Sequence, residues 1–215
     1  MGMPLVDPRV ERYALEHTTV RSAQMEELER EARAALPSPQ MLSGRVVGWL
    51  LEMLVASLRA ELVLEIGTYA GYSALAMAGG LSPGGRLITC EISEEYAAWA
   101  RERIARSPHG ERVEVRVGAA LDTVAQLGGP FDFVFIDADK LGYRDYFEAV
   151  LPKLSPHGMI ALDNTLRDGS VLEPQAADES AVAIARLNGE LAEDPRVSAV
   201  LLTVRDGVTL VRRRR

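Results

Sequence analysis

Apolar positions recur at helical spacing in the first quarter of the chain and in short, nearly continuous runs after it. Up to about Arg59 the spacing predicts three helices: a short one over Arg9–Glu16, one with Met25, Leu28, Ala32 and Ala35 on related faces, and one carrying Val46, Val47, Leu50, Leu51, Leu54 and Val55. Ser22 is the predicted N-cap of the second, and Leu36-Pro37-Ser38-Pro39 stops it. From Glu61 onward, predicted strands at Leu62–Ile66, Arg86–Glu91, Val113–Val117, Phe131–Asp137 and Met159–Leu162 alternate with helical segments. Those segments are Ala74–Gly79, Glu94–Arg106, a short stretch with Leu121, Val124 and Leu127, Tyr143–Leu151 and, at the end, Glu179–Ala192. Continuous rather than alternating apolar strands imply burial on both faces, so the fold class is α/β, a mostly parallel sheet between helices. Val197–Val204 and Val208–Val211 flank Arg205-Asp206-Gly207, which predicts an antiparallel hairpin at one side of the sheet. One domain over 1–215 is expected, with residues 1–59 as helical additions and 60–215 as the α/β core.

Composition narrows the field. A chain of 215 residues, 47% hydrophobic, can bury one sizeable core. No apolar run free of charge is long enough to cross a bilayer, and the opening residues through Val10 lack the pattern of a secretory signal, so no membrane contact and a cytoplasmic location are expected. Cys90 is the sole cysteine, which excludes an intrachain disulfide and argues against a cysteine zinc site. It stands in the predicted strand Arg86–Glu91, after Leu87, Ile88 and Thr89, and reads as a buried, inert thiol. A net charge of -7 argues against nucleic acid as a partner, the basic end Arg212–Arg215 reading as a solvated tail. Lys140 and Lys153 are the only lysines among 24 basic side chains. Unlike arginine, lysine can lose a proton near neutrality, which draws notice to where they stand.

In an open α/β sheet, ligands collect beyond the carboxyl ends of the strands. Here those ends read Glu65-Ile66-Gly67, Glu91, Gly118-Ala119, Asp137-Ala138-Asp139-Lys140 and Asp163-Asn164. The turn Gly67-Thr68-Tyr69-Ala70-Gly71-Tyr72-Ser73 offers glycines for close approach, helix N–H groups and the Ser73 hydroxyl; a tight strand-to-helix connection would look the same. Tyr69 and Tyr72 stand where a dinucleotide fingerprint needs glycine, which favours a smaller carboxylate or amine over a pyrophosphate. Glu91 suits a ribose diol, or it is an ordinary acid ahead of a helix capped by Ser93. Asp137, Asp163 and Asn164 are all oxygen donors and suit magnesium, manganese or calcium rather than zinc; singly, each could be a strand-end cap. Lys140, three residues after Asp137, faces the same pocket if a helix starts there, as a proton acceptor or as a carboxylate partner.

These residues sit in strings that resemble the cation-dependent S-adenosylmethionine O-methyltransferases, the family of caffeoyl-CoA and catechol O-methyltransferases. The strings are LEIGTYAGYS at Leu64–Ser73, FDFVFIDADK at Phe131–Lys140 and DNTLRDGSV at Asp163–Val171, with weaker similarity from Tyr13-Ala14-Leu15-Glu16-His17 to DGVTLV near the end. The resemblance implies a Rossmann-like, seven-stranded methyltransferase sheet and methyl transfer to a hydroxyl of a small catechol-like or hydroxycinnamoyl-type acceptor. It implies that Ser43, Glu65, Gly67, Thr68 and Ser73 surround the methionine part of the cofactor, that Glu91 holds the ribose, and that Ala119 lies by adenine. Asp139 is a further cofactor contact on this reading. Asp137, Asp163 and Asn164 are the implied metal ligands (Mg2+ first, Mn2+ or Ca2+ otherwise), with Asp137 also at the cofactor. Lys140 lies beside the acceptor hydroxyl and, with Asp137, is the implied catalytic pair. A homodimer is a further implication. The chain departs from its relatives at Arg167-Asp168, where bacterial ones often carry an aromatic and a small residue, and at Gly44-Arg45; Arg45 and Arg167 either meet an acidic acceptor or are solvated. A nicotinamide-dependent oxidoreductase and a non-catalytic cofactor-binding protein are the alternative functions.

Overall fold

The computed structural model describes residues 6–214; the first five residues of the opening segment and Arg215 of the basic tail lie outside the described residues. Three helices precede the sheet: α1 (Pro8–Glu16), α2 (Ala23–Ala35) and α3 (Gly44–Ser57). Ser22 caps α2 as its sequence predicts, accepting the amide of Met25, and α2 ends one residue before Leu36-Pro37. Strand and helix then alternate through β1 (Leu62–Ile66), α4 (Tyr72–Gly79), β2 (Arg86–Glu91), α5 (Glu94–Ile104), β3 (Val113–Val117), α6 (Ala120–Gln126), β4 (Phe131–Ile136), α7 (Tyr143–Val150) and β5 (Leu154–Asp163). Helix α8 (Glu179–Glu193) leads to the closing hairpin of β6 (Val197–Leu202) and β7 (Val208–Arg213).

The seven strands form one sheet in the order β3-β2-β1-β4-β5-β7-β6. The first five run parallel, while β7 is antiparallel to both β5 and β6, so the hairpin closes one side of the sheet. Strand order reverses between β1 and β4, and there the carboxyl ends open a crevice.

Side-chain alternation explains why the strands are apolar throughout. Leu64, Ile66, Val134, Ile136 and Leu162 pack under α6, α7 and α8 with Tyr143, Phe147 and Leu187. Their neighbours Val63, Phe133, Phe135 and Ala161 pack on the opposite face against Val47, Leu51 and Val55 of α3 and Met77 of α4. A third cluster joins Leu28 and Ala32 of α2 to Tyr72 and Leu75 of α4 and Ala100 of α5, fixing the N-terminal layer over the first turn of the sheet.

The element ends fall within two residues of the sequence expectation except at one place. Strand β5 begins five residues earlier than predicted, because Leu154 pairs with Phe131 across an irregular register that carries Pro156-His157-Gly158 inside the strand. After β4 a 3-10 turn begins at Lys140 with Asp139 as its cap, and α7 follows at Tyr143, its predicted start.

Candidate active site

The crevice holds a cavity of about 770 Å³ between the strand ends and the N-terminal layer, near the upper end of the range typical of small-molecule sites. Ser43, Gly67, Thr68, Ser73, Glu91 and Ala119 line one part of it, and Asp137, Asp139, Lys140, Asp163 and Asn164 line the other. Glu65 alone among the expected site residues lies off this surface. It shares the face of β1 that carries Val63, fully buried, and its carboxyl accepts hydrogen bonds from Ser73 Oγ at 2.5 Å and Thr89 Oγ1 at 2.6 Å. Burial pushes this carboxyl up to about 8, with the charges of Asp137 and Glu91 adding to the shift and the two hydroxyls opposing it. Glu65 therefore sits behind the turn and braces Ser73.

The turn after β1 is built for close approach. Gly67 has φ +103, and a Cβ there would run into the carbonyl of Asp137 on the neighbouring strand end. Its amide donates to Cys90 O at 3.0 Å, and Tyr69, at φ 46, donates its amide to Glu91 Oε2 at 2.8 Å. Glu91 also accepts the Ser93 amide through Oε1 at 2.9 Å, and Ser93 caps α5. The carboxylate thus braces two backbone segments while lining the cavity. Asp139 is committed similarly: its oxygens accept the Gly142 amide at 2.9 Å and the Tyr146 hydroxyl at 2.5 Å.

The second half of the cavity concentrates charge. Lys140 Nζ donates to Asp137 Oδ1 at 3.0 Å and to the Tyr143 hydroxyl at 2.6 Å. The Tyr143 hydroxyl in turn donates to the backbone carbonyl of Asp163 at 3.1 Å. Burial pushes the Asp163 carboxyl up to about 7, helped by the charge of Asp137 and opposed by the Asn164 amide, Lys140 and Arg205. Asn164 stands in the left-handed region at φ 54, which asparagine tolerates better than most residues, and its amide donates to Asp163 Oδ1 at 2.8 Å.

Among the described residues no three His, Cys, Asp or Glu side chains gather as a metal-binding group. The donor set here is instead two carboxylates and a carboxamide. Its all-oxygen chemistry, and the burial of Asp163 beside the like charge of Asp137, fit a hard divalent cation.

Four participants carry no signature in the sequence. Thr89 is mid-strand, yet its hydroxyl links Thr68 and Glu65. Tyr143 reads only as a helix start, although it is three residues after Lys140. Arg205 and Asp206 read as a hairpin turn, but Arg205 donates to the carbonyls of Leu42 (3.1 Å) and Ser43, and Asp206 accepts the amide of Asp168. Arg45 goes the other way: it pairs with Glu26 at 3.7 Å and does not line the cavity.

A family model described as O-methyltransferase matches residues 15–214. The chain is 37% identical to a catechol O-methyltransferase of Niastella koreensis, covering 80% of this chain and 78% of the relative. It is 36% identical to a caffeoyl-CoA O-methyltransferase of Petroselinum crispum, covering 88% and 83%. The O-methyltransferase from Bacillus cereus, solved in complex with SAH, superposes with a TM-score of 0.87 at 37% identity, covering 96% of this chain and 97% of that one.

Proposed function

The chain belongs to the O-methyltransferase family, and on that premise we propose that it transfers the methyl group of S-adenosylmethionine, with a divalent cation, to one hydroxyl of a small catechol-like or hydroxycinnamoyl-type acceptor. The observation that carries this reading is one cavity in which the glycine turn after β1 faces Asp137, Lys140, Asp163 and Asn164.

Each group then has a task. Ser43, Gly67, Thr68 and Ser73 hold the methionine end of the donor, Glu91 the ribose and Ala119 the adenine side. Glu65 supports them by fixing Ser73. Asp137, Asp163 and Asn164 would hold the cation, Mg2+ by preference, with Mn2+ and Ca2+ meeting the same donor chemistry. When bound, the cation supplies acidity to the acceptor hydroxyl and a fixed position for two adjacent oxygens. Lys140, held between Asp137 and Tyr143, takes the hydroxyl proton or stays charged beside the phenolate. Methyl transfer is a direct displacement: the new oxygen–carbon bond forms as the sulfur–carbon bond breaks, and alignment is the main demand on the protein. A homodimer is part of the same reading, and the apolar side chains exposed on α1 support it.

The test is a methyl-transfer screen of catechols, flavonoids, hydroxycinnamates and their thioesters, run with magnesium and with chelator. Turnover that needs the cation is expected. Asp137→Asn and Asp163→Asn should each lower turnover by about a hundredfold or more while donor binding stays measurable. Full activity of both variants in thoroughly chelated buffer would remove the cation from the reading. Lys140→Arg keeps the charge but cannot accept a proton, so an unchanged pH–rate profile and turnover would exclude an essential base at this position.

A further inference from the structure

Two arginines line the cavity, Arg167 and Arg205, and their guanidinium groups are used differently. Arg205 is engaged with the Leu42 and Ser43 carbonyls and ties the β6–β7 hairpin to the loop before α3. Arg167 has no such engagement: its Nε is buried without a hydrogen-bond partner. The ion pairs that neutralise Arg45, Arg103, Arg144 and Arg196 have no counterpart at Arg167 among the described residues. A buried donor left unpaired on a charged group is costly, and a protein keeps one where something else completes it.

The backbone that presents Arg167 is held firmly in an unusual shape. Asn164, Arg167, Asp168 and Gly169 all have positive φ, at 54, 48, 49 and 83. Surrounding contacts over-determine this conformation. Thr165 and Leu166 donate their amides to Gly207 O at 3.1 Å and Asp206 O at 2.8 Å, Thr209 Oγ1 donates to Thr165 Oγ1 at 2.9 Å, and Ser170 Oγ donates to Arg167 O at 2.7 Å. Strain of this kind persists where a fixed geometry is used. Neither nearby acid forms an ion pair with the guanidinium: Asp168 is exposed, and Asp206, close enough to feel the Arg167 charge, accepts the Asp168 amide through Oδ1.

We propose that Arg167 is a specificity-determining residue that binds a carboxylate on a short substituent of the acceptor, remote from the hydroxyl that is methylated. The inference rests on the methyl-transfer reading above, because Asp137, Lys140, Asp163 and Asn164 mark where the reacting oxygen lies. Arg167 lines the same cavity as Asp137, Lys140, Asp163 and Asn164 and follows Asn164 by only three residues, which places its guanidinium within reach of a short acidic substituent on an acceptor bound at those residues. A guanidinium fork also matches a planar carboxylate with two parallel hydrogen bonds.

The test compares 3,4-dihydroxycinnamic acid, its carboxamide and its coenzyme A thioester as acceptors for the full chain with S-adenosylmethionine and magnesium. The wild-type protein should favour the acid over the carboxamide by about tenfold or more in kcat/KM, mainly through KM. Arg167→Asn, whose side chain tolerates the left-handed backbone, should bring that ratio toward one, and Arg167→Lys should retain part of it. Affinity for S-adenosylhomocysteine, measured by calorimetry, reports that the donor side is intact in each variant. Equal use of acid and carboxamide by the wild type, or a ratio that Arg167→Asn leaves unchanged, overturns the proposal. So does a preference for the thioester that the variant retains. No methyl transfer to any of the three, with donor bound, overturns the methyl-transfer reading itself and this inference with it.

Discussion

At the scale of single residues, the site depends on groups set behind the cavity surface. Glu65 is the clearest. Its carboxyl has an ordinary value of 4.5 and is pushed up to about 8 in the fold by burial. Between those values the native protein keeps a proton that the unfolded chain releases. The stabilising effect of neutral Glu65 is thus fully present below about pH 4.5 and is lost as pH rises toward 8, at up to about 1.4 kcal/mol per pH unit. Glu65→Gln removes the titration and keeps a group that can accept from Ser73 and Thr89. Urea unfolding at several pH values should show a flatter decline for the variant; parallel curves would refute the assignment. Asp163, raised to about 7, titrates in an overlapping window in both proteins, so the difference between the curves isolates Glu65. Tyr143 acts at the same scale. Its buried hydroxyl joins Lys140 Nζ to the Asp163 carbonyl, and Tyr143→Phe should lower kcat by about tenfold with donor affinity unchanged. A loss seen only as reduced stability would make Tyr143 a packing residue.

At the scale of elements, the meeting of β1 with β4 sets the site. Gly67 lies against the Asp137 carbonyl at positive φ, so Gly67→Ala forces the two strand ends apart. A loss of about 2 kcal/mol or more in urea unfolding, with weakened donor binding, is expected; wild-type stability would contradict the close approach. This element-level plan was legible in the sequence because it is written in local patterns. β1, β2 and β3 fall at their predicted bounds, since apolar runs between turn residues mark buried strands. The carboxylates and glycines gather at one edge because parallel strands put every carboxyl end on the same side. Contacts between distant segments left no local mark. Arg205 reaches Ser43 across most of the chain, and nothing in Arg205-Asp206-Gly207 beyond a turn announces it. Glu65 is a milder case: period-two alternation on β1 places it with Val63, on the face away from Leu64 and Ile66, so its burial follows from register rather than residue type. Strand β5 runs back to Leu154 through Pro156 and Gly158, residue types that ordinarily interrupt strands, because the irregular β4–β5 register accommodates them.

At the scale of the whole molecule, one helix is not accounted for by the fold of a single chain. α1 spans nine residues and buries none of them. Val10 is 56% and Tyr13 63% exposed, with Leu15 and, just beyond the helix, Val20 exposed as well. Asp7 caps the helix and accepts the Arg9 amide at 2.9 Å, and Tyr13 stacks on His17, but local contacts of this kind seldom hold so short a helix in water. In the homodimer proposed above, burial against a second copy would supply what the monomer lacks. Sedimentation equilibrium should therefore give twice the 23.4 kDa chain mass at micromolar concentration. Amides of α1 should be protected from hydrogen exchange in that state. Replacing both Val10 and Tyr13 by Asp places charges on the apolar face and should yield a monomer in which that protection is gone, while protection of β1 and β4 in the core is kept. A wild-type chain that sediments as a monomer, with α1 exchanging freely, would mean that the exposed apolar face of α1 has no partner copy.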